Sequence, residues 1–142
     1  MYREISILFS KFLDRYNYLI ENSFKDTEFK GLGASHFAIL IGIIMCDKKK
    51  LCMKDIANFI NKDKSTVTQL VNKLIKYDLI EKKYSESDRR ICYVILTEKG
   101  MENEELFKSI YKRTEFSNSE VITNDEKKIL EGIVKKLILN LE

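Results

Sequence analysis

The 142-residue chain has no proline, one histidine and three cysteines, and each shortage narrows what the protein can be. Without proline, long helices can run uninterrupted. No apolar stretch approaches the ~18 residues of a membrane-spanning helix, and no signal-peptide pattern opens the chain. We therefore expect a cytoplasmic protein without membrane contact. Its 44% hydrophobic and 33% charged residues suit a soluble chain that buries a core. The length predicts a single domain over residues 1–142.

The histidine and the cysteines form no catalytic or metal-binding pattern. Cys46, Cys52 and Cys92 lack C-x-x-C spacing, and an odd, irregularly spaced set is typical of reduced thiols. His36 has no nucleophile or metal partner at a matching spacing, so we interpret it as a residue of the core or of a pocket. A glycine-rich phosphate loop is also missing. The sequence thus predicts a protein that is not an enzyme and uses no cofactor or metal ion.

The strongest pattern lies in residues 51–100, where one helix follows Asp63. Its apolar residues recur at i, i+3, i+4, i+7 and i+8, on one helix face: Val67, Leu70, Val71, Leu74 and Ile75. Asp63 is placed to cap the first free N–H groups. The opposite face has no acidic residue and carries Ser65, Thr68, Gln69, Asn72 and Lys76. Such amide and hydroxyl groups can pair with DNA bases. A merely solvated helix face is the alternative interpretation.

A shorter helix is predicted just before this one. Its inner face is expected to contain the apolar residues Ile56, Ala57, Phe59 and Ile60. Asn61 lies where the chain must turn, because asparagine tolerates the left-handed conformation. Cys52 occupies the position of the N-cap, where serine or threonine is more usual. The two helices and their tight turn predict a helix-turn-helix.

A basic β-hairpin is predicted after the second helix. One strand starts at Leu79 and Ile80, and a second covers 91–96, with Val94 and Leu96 facing inward. The polar tip, 85–90, ends in two arginines. An arginine at such a tip can enter the negative minor groove of DNA. A solvated hairpin without DNA contact is the alternative.

Positive charge is concentrated on this part of the chain. Residues 48–90 contain 12 Lys and Arg against 6 Asp and Glu, a net charge of +6, whereas the remaining residues carry −3. Such a distribution is expected for phosphate contact. The lysine run 48–50 is compatible both with this role and with a solvated loop.

Both ends of the chain carry long apolar stripes at helical spacing. The first stripe consists of Ile5, Leu8, Phe9, Phe12, Leu13, Tyr16, Leu19 and Ile20. The second consists of Ile129, Leu130, Ile133, Val134, Leu137, Ile138 and Leu141. Thr123 and Glu126 have capping-box spacing before the second stripe. These stripes are either intramolecular core or, because one small domain offers too little cover, the interface of a homodimer.

The central segment resembles the winged-helix domain of the multiple-antibiotic-resistance regulator (MarR) family of bacterial transcription factors. The stretch from Asp63 to Leu74 is similar to that family's recognition helix. The wing signature D-x-R, followed after five residues by L-T, is matched by Asp88-Arg89-Arg90 and Leu96-Thr97, with Glu98-Lys99-Gly100 continuing into the next helix. His36-Phe37-Ala38-Ile39-Leu40 resembles the helix before the reading head. Asp78 replaces the usual glycine before the first wing strand, and aspartate also tolerates a left-handed turn.

The resemblance implies a mainly α fold with a small β-hairpin wing, in which a winged helix-turn-helix is flanked by N- and C-terminal dimerisation helices. The winged-helix lobe would cover about 34–98, and the dimerisation helices about 1–30 and 99–142. A two-fold dimer would bind a pseudopalindromic double-stranded operator, with recognition helices ~34 Å apart. The expected DNA-binding residues are Lys64, Ser65, Thr66, Thr68, Gln69, Asn72, Lys73, Lys76, Asp88, Arg89 and Arg90.

The resemblance also implies control by a signal. Members of the family bind small aromatic compounds between the dimer helices and the reading head. Residues that would line such a pocket here are Phe9, Phe12, Tyr16, His36, Phe37, Phe107 and Tyr111. At helical spacing such aromatics are more often core, which is our interpretation of most of them. Oxidant sensing by an N-terminal cysteine does not carry over, because no cysteine precedes Cys46. Cys52 and Cys92 are either oxidation sensors or structural thiols.

The sequence therefore predicts a homodimeric DNA-binding transcriptional regulator, most simply a repressor released by a small-molecule or redox signal. The alternative from a different class is a winged-helix protein-interaction module without affinity for DNA.

Overall fold

The computed structural model describes residues 2–141, with side chains from Glu4 onward, so that Met1 and Glu142 at the limits of the predicted terminal helices lie outside it. Within these residues the chain forms seven α-helices, one 3₁₀ helix and three strands. Their order is α1 (Tyr2–Phe24), α2 (Ala34–Met45), β1 (Lys50–Cys52), α3 (Met53–Ile60), α4 (Lys64–Lys76), β2 (Ile80–Tyr84), β3 (Cys92–Leu96), α5 (Glu98–Glu102), α6 (Glu104–Thr114), the 3₁₀ helix (Phe116–Asn118) and α7 (Asn124–Leu141). The mainly α fold with a small wing is confirmed.

The strands form one antiparallel sheet in the order β1-β3-β2. The hairpin of β2 and β3 was predicted, and Val94 and Leu96 are buried as expected, since alternate residues of a strand face one side. The third strand, β1, was not predicted. It pairs Lys50 with Ile95 and Cys52 with Tyr93, and thereby ties the start of α3 to the wing.

The core lies where α2, α3, α4 and the sheet meet α6 and the end of α1. Helix α2 is almost wholly apolar and supplies six buried residues, including Ile39, Leu40 and Ile43. Aromatic rings fill the junction with α1 and α6, where Phe24, Phe29 and Phe107 are fully buried and pack at tilted angles. The core therefore holds the helix-turn-helix against the rest of the chain.

The terminal helices differ from this core. Helix α7 contains no buried residue, and the exposed fractions of Ile133 and Leu137 are 48% and 46%. Most of the α1 stripe is exposed as well, until Ile20 and Phe24 enter the core. Thr123 and Glu126 form the predicted capping box before α7, with reciprocal backbone-to-side-chain bonds of 3.2 and 2.7 Å.

One core prediction was wrong. Phe59 was expected on the inner face of α3, but its side chain is 60% exposed. Ile56 alone is fully buried in this helix, and Ala57 and Ile60 are half-buried. Helix α3 has only eight residues, so neighbouring positions of its apolar face can differ between buried and exposed. No described helix is both long and apolar enough to cross a membrane.

Candidate nucleic-acid interface

Helix α4 begins where local chemistry dictates. Asn61 takes the left-handed conformation at φ 52° and ends α3, as predicted. Two residues later the N–H of Thr66 donates to Oδ1 of Asp63 at 2.7 Å, so the aspartate caps α4. This hydrogen bond lowers the pKa of Asp63, because it favours the charged carboxylate. The turn and the cap fix where the outward face of α4 starts.

The two faces of α4 separate as the pattern predicted. Val67, Val71 and Leu74 are buried and Leu70 is half-buried, but Ile75, which was predicted on the same face, is 36% exposed. The predicted DNA-binding residues of this helix lie on the other side. Those that are exposed are Lys64, Ser65, Gln69, Asn72 and Lys76. Helix α4 therefore presents a polar surface without an acidic side chain.

Three predicted contact residues of α4 are half-buried: Thr66, Thr68 and Lys73. The Thr68 hydroxyl donates to the carbonyl oxygen of Lys64 at 2.9 Å. Nζ of Lys73 donates to the carbonyl oxygen of Gly31 at 2.7 Å, in the segment between α1 and α2. Lys73 therefore already has a partner inside the protein, which the sequence pattern did not predict.

The wing tip holds one arginine in a fixed position. Nε and Nη2 of Arg90 donate to the two carboxylate oxygens of Asp88 at 3.0 and 3.1 Å, and the Arg90 N–H donates to the same carboxylate. These bonds to the Arg90 side chain and backbone lower the pKa of Asp88. The Arg90 side chain is nevertheless 91% exposed, and Arg89 is exposed beside it. The pair with Asp88 uses the Nε–H and one N–H of Nη2, so the remaining guanidinium N–H groups are suitable donors for a phosphate or for groove acceptors.

A compact junction fixes the wing relative to α4. Asp78 takes the left-handed conformation, at φ 58°, and its carbonyl accepts a hydrogen bond from the Thr97 hydroxyl. The N–H of Gly100 donates to the same hydroxyl at 3.0 Å. A Cβ at Gly100 would lie 2.2 Å from the Leu79 carbonyl oxygen, so only glycine fits. The L-T-x-x-G sequence is thus explained by packing of α5 against the turn between α4 and β2.

The lysine run 48–50 is partly structural. Lys49 has a positive φ of 55°, and its Nζ bonds the Ile44 carbonyl and lies 3.9 Å from a Glu104 carboxylate oxygen. Nζ of Lys50 lies 4.3 Å above the centre of the Tyr93 ring, which is a cation–π contact. Lys48 is exposed. Neither a simple solvated loop nor a free cationic run describes this segment.

The seven predicted effector-pocket residues lie in different environments. Phe37 and Phe107 are buried in the core, 3% and 0% exposed. Phe12 and Tyr16 stack at 6.3 Å and line a cavity of about 320 Å³ that is bordered by Arg15, Lys112 and Arg113. Phe9 and Phe12 line a neighbouring apolar groove of about 460 Å³ between α1 and the start of α7. His36 and the half-buried Tyr111 border neither space.

His36 has a local role in the structure. Its Nδ1 accepts the N–H of Gly33 at 3.0 Å and so caps the start of α2. Burial, together with the nearby positive charge of Lys73, lowers the pKa of the imidazole. Among the described residues no group of three or more His, Cys, Asp or Glu side chains is arranged to hold a metal ion.

Known structures share this architecture. MepR from S. aureus in its DNA-binding conformation superposes with a TM-score of 0.82 at 20% identity, over 97% of this chain and 98% of that one. A mutant MarR from E. coli in complex with operator DNA gives 0.75 at 18% identity, over 94% and 93%. BpsR from Bordetella bronchiseptica, described with 6-hydroxynicotinic acid, gives 0.73 at 19% identity, over 94% and 91%. The predicted resemblance to the MarR winged helix is confirmed for the fold.

Sequence comparison identifies the family. No curated protein sequence matches the chain. The family model described as transcriptional regulator SarA/Rot matches residues 23–107, which is more than half of the chain and includes the helix-turn-helix, the wing and α5. The chain therefore belongs to the SarA/Rot family of transcriptional regulators.

Proposed function

We propose that the protein is a homodimeric repressor that binds a pseudopalindromic site in double-stranded DNA. The observation that carries the proposal is the shared surface of α4 and the wing. Gln69 and Asn72 are exposed on a helix face without acidic residues, and the exposed Arg90 is held at the neighbouring hairpin tip. Amides can bind adenine bidentately in the major groove, whereas an arginine fork suits the narrower groove beside it.

The charge distribution supports contact with DNA phosphates. Residues 48–90 carry a net charge of +6, although the whole chain carries +3. Exposed cations border both reading elements, with Lys64 and Lys76 on α4 and Arg89 on the wing. Neutralised phosphates release counterions, so affinity should fall steeply with salt. The MepR structure described in a DNA-binding conformation and the MarR structure described with operator DNA favour the same use of this fold.

The terminal helices support the dimer. The 18-residue helix α7 has no fully buried side chain, and its own chain leaves most of its apolar stripe exposed. The α1 stripe and α7 together line the apolar groove of about 460 Å³ described above, and Leu8 in this groove is 63% exposed. Apolar patches on this scale mark interaction sites. A second copy, applied by two-fold symmetry, covers both stripes and places two recognition helices on one face of DNA.

A small aromatic molecule is the signal that the structure favours. The cavity beside Phe12 and Tyr16 combines aromatic walls with three cationic side chains and Glu115. That mixture suits an aromatic anion, and the BpsR structure is described with a compound of this class. The redox alternative rests on Cys52 and Cys92, which are free, half-buried thiols. We place the regulator in the cytoplasm, where its thiols stay reduced.

Electrophoretic mobility shift with genomic fragments tests the proposal. The account predicts retention of a small set of fragments, whose sequences share two inverted half-sites. Candidate aromatic acids and hydrogen peroxide are then added to the preformed complexes to test release. Absence of any sequence-selective shift, from a folded dimer at low salt, would contradict the proposal and favour the protein-interaction module. Repression is tested with the recovered operator placed before a reporter gene.

A further inference from the structure

The segment between α1 and α2, residues 25–33, contacts the C-terminal end of α4 as well as α5 and α6. It leaves α1 through a tight turn, in which the Thr27 hydroxyl donates to the Phe24 carbonyl and accepts the Phe29 N–H, at 2.7 and 3.1 Å. Phe29 and Leu32 then insert into the core and are 1% and 0% exposed. The linker segment 25–33 is therefore packed and hydrogen-bonded, unlike a free connection.

Phe29 is the centre of this junction. Its ring packs edge-on against Tyr77 at the end of α4, with 6.2 Å between centroids, and against Phe107 of α6 at 5.8 Å. On another side Nζ of Lys99 lies 5.5 Å from the same ring and 3.1 Å from a Glu28 carboxylate oxygen. One buried ring thus contacts α4, α5 and α6 from a segment that is continuous with α1.

Two polar contacts join the linker to the recognition helix itself. The Tyr77 hydroxyl donates to the Lys30 carbonyl, and Nζ of Lys73 donates to the Gly31 carbonyl at 2.7 Å. Gly31 permits this approach, because its φ of +101° is a conformation that other residues rarely adopt. A Cβ at Gly31 would also lie 3.1 Å from the Tyr77 hydroxyl oxygen. The carbonyls of Lys30 and Gly31 therefore accept hydrogen bonds from Tyr77 and Lys73, which lie one helical turn apart at the C-terminal end of α4.

We propose that Tyr77 and Lys73 are positioning residues that fix α4 to the linker segment 25–33, and through it to α1. This inference rests on the proposed function, in which α1 belongs to the dimer interface and α4 reads DNA. The contacts then set the distance between the two recognition helices of the dimer. One base pair changes the separation of half-sites by about 3.4 Å. If these contacts hold α4 in one position, the dimer should therefore prefer one half-site spacing strongly. Lys73 acts chiefly through the Gly31 carbonyl, and Lys76, one turn along and exposed, is the phosphate contact.

The test uses the operator recovered with the wild-type dimer, variants of it with spacers one or two base pairs longer or shorter, and an isolated half-site. Tyr77→Phe removes only the hydroxyl and keeps the ring against Phe29. It should lower affinity for the best spacing about three- to tenfold, which is the usual effect of removing one hydrogen bond. Affinity for the half-site should not change, and the spacing preference should flatten. Lys73→Met should behave in the same way.

Lys76→Met is the matched control on the same helix. It should reduce the salt dependence of binding by about one unit of log–log slope and keep the spacing preference sharp. Tyr77→Phe should instead keep the salt dependence of the wild type and flatten the spacing preference. Melting temperature and sedimentation confirm that each variant is folded and dimeric.

Equal losses on the half-site and on the full operator would overturn the inference, because Tyr77 would then act on α4 alone. An unchanged spacing preference, with or without a lower melting temperature, would overturn it as well. If the wild-type dimer bound no DNA, the proposed function would fail first. If the wild type binds the operator and the Tyr77 and Lys73 variants show the same affinities and spacing preference, only the positioning role would be refuted.

Discussion

The central part of the chain and its two ends treat apolar surface in opposite ways. All the buried hydrophobic side chains among the described residues lie between Ile20 and Ile110, and they join the helix-turn-helix, the sheet and α6 into one core. Helix α7 has a stripe of similar composition, but it buries none of these side chains fully and leaves most of them exposed. The difference indicates that the centre folds on its own contacts, and it supports the proposal that a second chain covers the ends.

The largest expected effect comes from charging the uncovered stripe. Replacing Ile133 and Leu137 by Asp puts two unpaired carboxylates where the partner would pack, and buried unpaired charges are strongly destabilising. We expect sedimentation to show monomer or unfolded chain. Lys128→Asp, on the polar side of the same helix, should remain dimeric. A double variant that sediments as a stable dimer would locate the interface elsewhere.

Two glycines sharpen the comparison between centre and ends. At Gly100 a methyl group would meet the Leu79 carbonyl oxygen at 2.2 Å, whereas at Gly132 in α7 nothing lies within 4 Å. Gly100→Ala should lower the free energy of unfolding by about 1–3 kcal/mol through overpacking. Gly132→Ala should raise it by up to about 1 kcal/mol, because alanine favours the helix. Chemical denaturation of both variants measures this. A tolerated Gly100→Ala would mean that α5 does not pack tightly on the turn between α4 and β2.

A change in the wing should affect the affinity for DNA and leave the stability of the fold unchanged. Arg90→Ala removes an exposed cation from a hairpin tip, so stability should be unchanged. Affinity for DNA should fall, and the log–log salt dependence should flatten by about one unit for each phosphate that the variant no longer neutralises. Binding isotherms at several salt concentrations give the slope. Glu86→Ala, at the same tip, is the control and should not flatten it. A folded Arg90→Ala variant with wild-type affinity and slope would mean that the wing does not touch DNA.

The smallest expected effect concerns His36 and pH. Its folded-state pKa lies below the usual 6.5, so the unfolded chain takes up the proton first. Its contribution to stability is complete above about pH 6.5 and is lost as pH falls towards the folded-state pKa. His36→Gln keeps an acceptor for the Gly33 N–H, since glutamine suits this capping position. Thermal melts between pH 7 and pH 5 should therefore show a decline in the wild type that the variant lacks. Parallel curves would exclude this contribution.

Local chemistry made much of the reading surface predictable. The caps at Asp63 and Thr123 and the left-handed turns at Asn61 and Asp78 depend on one or two neighbouring residues, and the structure has all four. The buried side of α4 was also predicted from the sequence, because a helix of thirteen residues contains enough turns for the helical period to be recognised.

Features that depend on distant partners were not predicted. Strand β1 has only three residues and exists because it pairs with β3, some forty positions later. The exposure of Phe59 depends on which neighbours reach α3. The bonds from Lys73 and Tyr77 cross 42 and 47 positions to carbonyl groups, which every residue possesses and no pattern marks. The seven proposed pocket aromatics divided between core and surface for the same reason.

If the outward face of α4 reads DNA bases, replacement of Gln69 should change both affinity and base preference. Gln69 is exposed on that face, and a glutamine amide can pair with the N6 and N7 atoms of adenine. The measurement is the affinity of wild type and Gln69→Ala for the recovered operator and for random DNA of equal length and at one salt concentration. The account predicts a loss of about 1–3 kcal/mol on the operator, a relaxed preference at one base position, and unchanged binding to random DNA. Equal losses on both DNAs would contradict base reading by this residue.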